Sequence, residues 1–334
     1  MIRRAISFAV VGLALLGSAA FADPPPEQVV ICSWNTEWMF DNYDGDNFSD
    51  LAKKMKAPSR EDWDWKLAGV EKVVREIKPT ILGLQEIENQ RVLFYLNQRF
   101  KDEAAYKYRI AFIEGTDYFT EQDVGLMALS GLIGFGRREM SKEEFEDKRN
   151  MALTKHIFGT FEWGTGADKE RVTVCNMHLR ARGDATNLRV RQAHLARVWV
   201  NELIKKGENV ILMGDMNTDE FATETKPDGD IGTMIGLDTP EKDDDLFDTL
   251  VELKDPKRHT HLNGQQYDRI LLSRSLVEDD PNRKDLSFKS VAIRRDLVIR
   301  KEQDKDHMDI FWSIPAEERD TSDHYPLVVT LDYK

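Results

Sequence analysis

Only two cysteines, Cys32 and Cys175, occur in the 334 residues, so at most one disulfide can form. Each sits within an apolar, strand-like run, which suits a small buried thiol, and both are expected to be reduced. Positive charge is also scarce. There are 47 Lys and Arg against 60 Asp and Glu, a formal net charge of −13. Such a chain does not attract a polyanion by bulk charge, and contact with phosphates would need cations as mediators. Internal repeats and long Gly/Ser or Pro linkers are lacking, so one domain over residues 23–334 is expected.

Long apolar runs are confined to the start. Residues 1–22 read "MIRRAISFAVVGLALLGSAAFA", with Arg3 and Arg4 ahead of a short apolar stretch and an A-x-A pattern at Ala20 and Ala22. This pattern predicts a signal peptide cut after Ala22, and a secreted or periplasmic protein. The apolar part is interrupted by Ser7, Gly12, Gly17 and Ser18 and is short for a membrane span. Removing the leader's +2 from −13 leaves −15 on the mature chain. A soluble monomer without stable membrane insertion is expected.

Apolar, β-branched runs predict strands at "VVICSW", "TILGLQE", "DVGLMALS", "HIFGTFEW", "RVTVCNMH", "NVILMGDMN", "YDRILLS" and "YPLVVTLDY". Residues 61–78 carry Leu67, Val70, Val74 and Ile77 on one helical face, and Pro79 stops that helix. Further helices are expected over 91–100 and 187–206. Residues 41–60 and 219–245 read as polar surface insertions, and 277–320 as irregular. Mixed strands and helices predict sheets covered by helices.

Polar residues recur where these strands begin or end: Asn35 and Glu37, Gln85 and Glu86, Asn176 and His178, Asp215 and Asn217, Asp268, and Asp323 with His324. Six such termini imply one shared polar rim. Carboxylate and amide oxygens without a Cys/His ligand cluster suit a hard cation, Mg²⁺ or Mn²⁺. Two histidines can serve as general acid and base. Asp215 and Asn217 are two apart, so an extended strand end would aim both the same way. Asp268 and Asp323 could orient His324. Trp63 and Trp65 read as packing groups, and His156, His194, His259, His261 and His307 as bystanders.

The motifs "SWNTEW", "LQEIEN", "NMHLRAR", "GDMN", "YDRILLS" and "SDHYP" stand in an order that resembles the endonuclease/exonuclease/phosphatase family. The resemblance spans nearly all of the mature chain. It implies a four-layer α/β sandwich, two packed mixed β-sheets flanked by helices, and metal-dependent cleavage of phosphoester bonds. It implies metal contacts at Asn35, Glu86 and Asp323, and catalytic roles for His178, Asp215, Asn217, Asp268 and His324. His324 would be the base, oriented by Asp268, and His178 would contact the phosphate. Arg149, Arg180 and Asn176 would touch substrate, and Asp123 would support His178. Arg182, Arg189 and Arg191 lie near the same motif, with Arg189 and Arg191 read as a solvated helix face. DNA or RNA is the expected substrate. A phosphatase, a phospholipid phosphodiesterase acting on a lipid headgroup, and a non-catalytic binding protein on the same fold are the alternatives.

Overall fold

The computed structural model describes residues 23–334 except 44, 167–168, 279, 305–306 and 308–309. The leader expected over 1–22 lies outside the described residues. Two six-stranded mixed sheets form the centre. The first contains β1 (Gln28–Met39), β2 (Ile81–Ile87), β3 (Arg109–Phe112), β4 (Asp123–Ala128), β11 (Leu286–Ile293) and β12 (Leu327–Tyr333), in the order β11-β12-β1-β2-β4-β3. The second contains β5 (Leu132–Gly136), β6 (His156–Trp163), β7 (Glu170–His178), β8 (Asn209–Asp215), β9 (Leu246–Asp248) and β10 (Asp268–Ser273), in the order β5-β6-β7-β8-β10-β9. Helices α2 (Arg60–Ile77) and α3 (Gln90–Gln98) cover the first sheet, and α5 (Thr186–Ile204) and α6 (Asp230–Ile235) cover the second. This is the expected four-layer α/β sandwich.

Local signals explain the element limits. The Ser59 side chain accepts a hydrogen bond from the Asp62 amide and caps α2, which stops at a left-handed Lys78 before Pro79. Short helices α1 (Asp50–Met55) and α4 (Lys142–Glu146) were not foreseen, and α6 falls inside the stretch read as a surface insertion. Strand β11 lies within the region read as irregular. It is an edge strand paired only with β12, so its outward residues are exposed and its apolar pattern is thin.

Two apolar clusters hold the layers. One includes Trp34, Leu84, Leu126, Ile211, Met213 and Ile270 and joins the sheets to each other and to α2 and α3. The other packs α5 on β8 through Leu195, Trp199 and Leu212. Cys32 belongs to the first and Cys175 to the second, and both are buried free thiols. No helix among the described residues is long and apolar enough to cross a membrane.

The sheets pack tightly around Gly83, where an added Cβ would strike the Met213 methyl and crowd Asn176. Asn176 is fully buried there. Its amide nitrogen donates to the carbonyls of Leu84 (3.1 Å) and Gly125 (2.9 Å), and its oxygen accepts from Gln85 Nε2 at 2.6 Å. The expected substrate contact is therefore corrected: Asn176 spends its hydrogen bonds tying one sheet to the other. Asn176→Ala would strand these buried partners and should lower the unfolding free energy by about 2–3 kcal/mol. Urea denaturation checks this; an unchanged midpoint would remove the strut from the account.

Candidate active site

Strand pairing brings the polar rim together. His178 at the end of β7 lies opposite Asp215 at the end of β8, and Asp215 lies opposite Asp268 at the start of β10. In the first sheet, Asn35 pairs with Gln85 one residue before Glu86. Gly214, at φ +140°, precedes Asp215, and a Cβ there would collide with the Met177 carbonyl. Glu37, Trp38, Glu86 and Asn217 all adopt left-handed backbone. Such strain in non-glycine residues tends to collect at functional sites.

Asp215 Oδ2 is the meeting point. Asn35 Nδ2 donates to it at 2.9 Å, His178 Nε2 lies 3.5 Å away, and His324 Nε2 lies 3.6 Å away. Asn35 Nδ2 also reaches Glu86 Oε1 at 3.1 Å. Behind His324, Nδ1 meets Asp268 Oδ2 at 2.9 Å. Asn217 is placed by a turn and not by strand alternation: its amide donates to Asp215 Oδ1, and its side chain donates to the Leu179 carbonyl.

The two imidazoles sit in opposite fields. Burial opposes charge on His324, but Asp268 and Asp215 outweigh it and hold the ring well above its ordinary pKa. Burial lowers His178, and Lys155 and His324 lower it further. His178 Nδ1 is buried without a hydrogen-bond partner among the described residues. Asp123, expected to support that ring, instead accepts from the Gly115 amide at 2.6 Å.

The substrate-binding arginines divide. Arg149 is exposed and bound by Asp147 at 2.7 Å. Arg180 is exposed two residues beyond His178, with no side-chain bond among the described residues, and Arg182 is also exposed. Arg189 corrects the solvated-face reading. It is fully buried and paired with Asp230 at 2.7 Å and Asp219 at 2.8 Å.

Several neighbours escaped the sequence reading. His261 Nε2 lies 3.2 Å from Asp323 Oδ2, and its ring stands edge-on to His324 with centroids 4.5 Å apart. His307 joins Glu37 Oε2 at 2.7 Å and Asp304 Oδ2 at 2.9 Å. Glu37 Oε2 also accepts from the Asp323 amide. Buried Lys66 donates to the Thr321 carbonyl, and buried Lys155 pairs with Asp117. Both lysines precede or interrupt apolar runs, which was the one sequence signal available for them.

Oxygen donors dominate the centre, and Glu86, His178 and Asp215 offer atoms within 4.8 Å of one another. One oxygen of Asp268 is buried without a hydrogen-bond partner among the described residues. Burial raises Glu86 from 4.5 to about 7, with Asp323 adding to the shift. Crowded, incompletely neutralised carboxylates of this kind fit a divalent cation. The folded state favours protonated Glu86. That contribution is complete below the unfolded pKa and is lost as pH rises through the folded value. In EDTA, the melting temperature should therefore fall more steeply for the wild type than for Glu86→Gln between about pH 4.5 and about pH 7. Added Mg²⁺ should restore the wild type most at the upper end. Parallel melting curves for the two proteins would remove Glu86 as the source.

A family profile described as "Endonuclease/Exonuclease/phosphatase family" matches residues 30–333. An endonuclease/exonuclease/phosphatase family protein from Bacteroides thetaiotaomicron superimposes with a TM-score of 0.56 at 16% identity, covering 93% of this chain and 99% of that one. The human Nocturnin catalytic domain with bound sulfate gives 0.55 at 14%, covering 92% and 94%. D. rerio TDP2 complexed with single-strand DNA product gives 0.51 at 17%, covering 92% and 100%. At these identities the likeness is one of fold. No curated protein matches the sequence.

Proposed function

This chain belongs to the endonuclease/exonuclease/phosphatase family, and from that premise we propose that it is an exported, divalent-metal-dependent phosphodiester hydrolase. The observation that carries the reading is the convergence of Asn35, His178 and His324 on Asp215 Oδ2, with Asp268 behind His324. Glu86, Asp323 and Asn35 are the residues that would hold the cation. Bound there, it supplies charge neutralisation on a phosphoryl oxygen and offsets the carboxylates that load His324 with a proton.

The protein's own groups divide the work. Asp215 and Asn217 position the attacking water. His324, oriented by Asp268, takes the proton from that water. His178, held neutral, donates a hydrogen bond where negative charge grows on the phosphoryl or leaving oxygen. Nucleic acid remains the polymeric reading, favoured by the exposed Arg180 and Arg182 beside His178. Arg149 and Arg189 are committed to aspartates, so the rim offers a polymer little further positive charge.

His324→Ala should lower turnover of bis-p-nitrophenyl phosphate by about two to four orders of magnitude, and EDTA should abolish turnover. Glu86→Gln should lose activity mainly through metal affinity, so excess Mg²⁺ or Mn²⁺ recovers part of it. Plasmid DNA and RNA in the same series test the polymeric reading. A His324→Ala protein with near wild-type turnover would defeat the assignment.

A further inference from the structure

One turn holds both members of the Asp323–His324 pair. At its far end Asp268 opens β10 and meets His324 Nδ1 at 2.9 Å. At its near end His261 Nε2 stands 3.2 Å from Asp323 Oδ2. The Asp268 amide donates to Thr260 Oγ1 at 3.1 Å and closes the turn. The His261 amide donates to the Gln265 carbonyl at 3.2 Å, and the Gly264 amide donates back to the His261 carbonyl at 3.0 Å. Gly264 sits at φ +91°, where a side chain would be strained. Two backbone bonds of 2.8 Å lace the turn to the catalytic segment: Leu262 donates to the Asp323 carbonyl, and Tyr325 donates to the Thr260 carbonyl. The His261 ring makes T-shaped contacts with Tyr267 and His324, with centroids 5.1 Å and 4.5 Å away. Its position is therefore over-determined.

The proton on this ring can be placed. The Asn263 amide donates to Nδ1 at 3.1 Å, so Nδ1 acts as an acceptor and carries no proton. The proton sits on Nε2 and is donated to Asp323 Oδ2. A ring nitrogen that carries a proton has no lone pair to offer a cation. As held, His261 is a donor to a carboxylate and not itself a ligand.

The two oxygens of Asp323 are thereby divided. Oδ2 is engaged by His261. Oδ1 has no hydrogen bond among the described residues and lies 4.0 Å from His324 Nε2. That nitrogen also faces Asn35 Nδ2 at 3.4 Å and Asp215 Oδ2 at 3.6 Å, so Oδ1 is the oxygen on the side of the rim. Ion choice depends on this division. Mg²⁺ demands a small, near-ideal octahedron, whereas Ca²⁺ is larger, accepts more oxygens and often grips both oxygens of one carboxylate. We propose that His261 is a positioning residue that, by engaging Asp323 Oδ2, limits this carboxylate to one oxygen and selects Mg²⁺ or Mn²⁺ over Ca²⁺. The proposal rests on the divalent-metal reading and deepens it. To take both oxygens, Ca²⁺ must break a charge-assisted hydrogen bond inside a pinned turn.

The test reads cation affinity without turnover. Protein stripped of metal is titrated with Mn²⁺, bound ion being measured as loss of the free-ion EPR signal, and Mg²⁺ and Ca²⁺ are measured by competition. In His261→Leu, which lacks the donor, the ratio of Mg²⁺ to Ca²⁺ affinity should shift about tenfold towards Ca²⁺, the usual size of an outer-shell effect on metal affinity. His261→Gln, whose amide nitrogen can still reach Asp323, should keep the wild-type ratio. If His261→Leu does not fold, His261→Asn, too short to reach Asp323, carries the same expectation. Equal weakening of all three ions marks a merely structural residue and overturns the proposal. Loss of Mn²⁺ affinity in both His261→Leu and His261→Gln, with the ratio unmoved, overturns it in favour of a direct ligand. Wild-type binding with a ratio that His261→Leu leaves unchanged removes the selectivity role alone. No Mn²⁺ binding to the wild type removes the divalent-metal reading as well.

Discussion

One carboxylate oxygen, Asp215 Oδ2, sets the geometry of everything around it. Asp215 closes a strand whose preceding residue, Gly214, has no room for a side chain. Strand β8 lies between β7 and β10, so fixing Asp215 fixes His178 on one side and Asp268 on the other. A slip of one residue would turn each of these side chains to the opposite face. Asn35 arrives from the other sheet, and its distance from Asp215 depends on how closely the sheets pack. The Gln85–Asn176 hydrogen bond and the bare Gly83 backbone set that separation. The site is thus a property of the junction between the sheets.

Charge balance follows from this placement. Aspartates and glutamates gathered at one buried edge repel one another and lose hydration. Buried cations answer part of the cost. Lys66 stands near Glu37 and Asp323, and burial lowers its ammonium to about 8. His307 is clasped between Glu37 and Asp304, which overcome its burial and raise it to about 9. These cations lie behind the rim, on the Glu37 side. Glu86 and Asp215 stay shifted upward because burial outweighs the positive field of His324 and, for Glu86, of Lys155. An added divalent ion would meet the cost that the protein leaves uncovered.

The frame of this site was legible because buried strands announce themselves. "VTVCNMH" and "NVILMGD" are continuous apolar runs ending in polar residues, and the structure ends β7 and β8 at His178 and Asp215. Edge strands gave weaker signals. "LIGFG" carries two glycines and alternates in burial, so β5 went unread. Long-range partners were invisible in principle. His261 meets Asp323 across 62 positions and His307 meets Glu37 across 270, and no local pattern encodes such encounters. Arg189 misled for a similar reason. A charged residue on a helix normally faces water, and its pairing with Asp219 and with Asp230, 41 positions on, explains its burial. Asn176 sat at a strand end like its neighbours, yet its side chain turns between the sheets and away from the rim.

The two histidines show how partners, more than residue type, assign chemistry. Both rings are buried, and both approach Asp215 Oδ2 at nearly equal distance. They differ in what stands behind. His324 has Asp268 on its far nitrogen, which fixes the ring's orientation and stabilises the charge it would gain on taking a proton. His178 has no partner on its far nitrogen among the described residues and faces the positive field of Lys155. A ring so placed resists protonation and serves better as a neutral donor. Two placements make the asymmetry: β10, which carries Asp268, borders β8 and not β7, and burial with Lys155 holds His178 low. Placement therefore separates, under the proposed mechanism, a proton acceptor from a hydrogen-bond donor at two buried imidazoles.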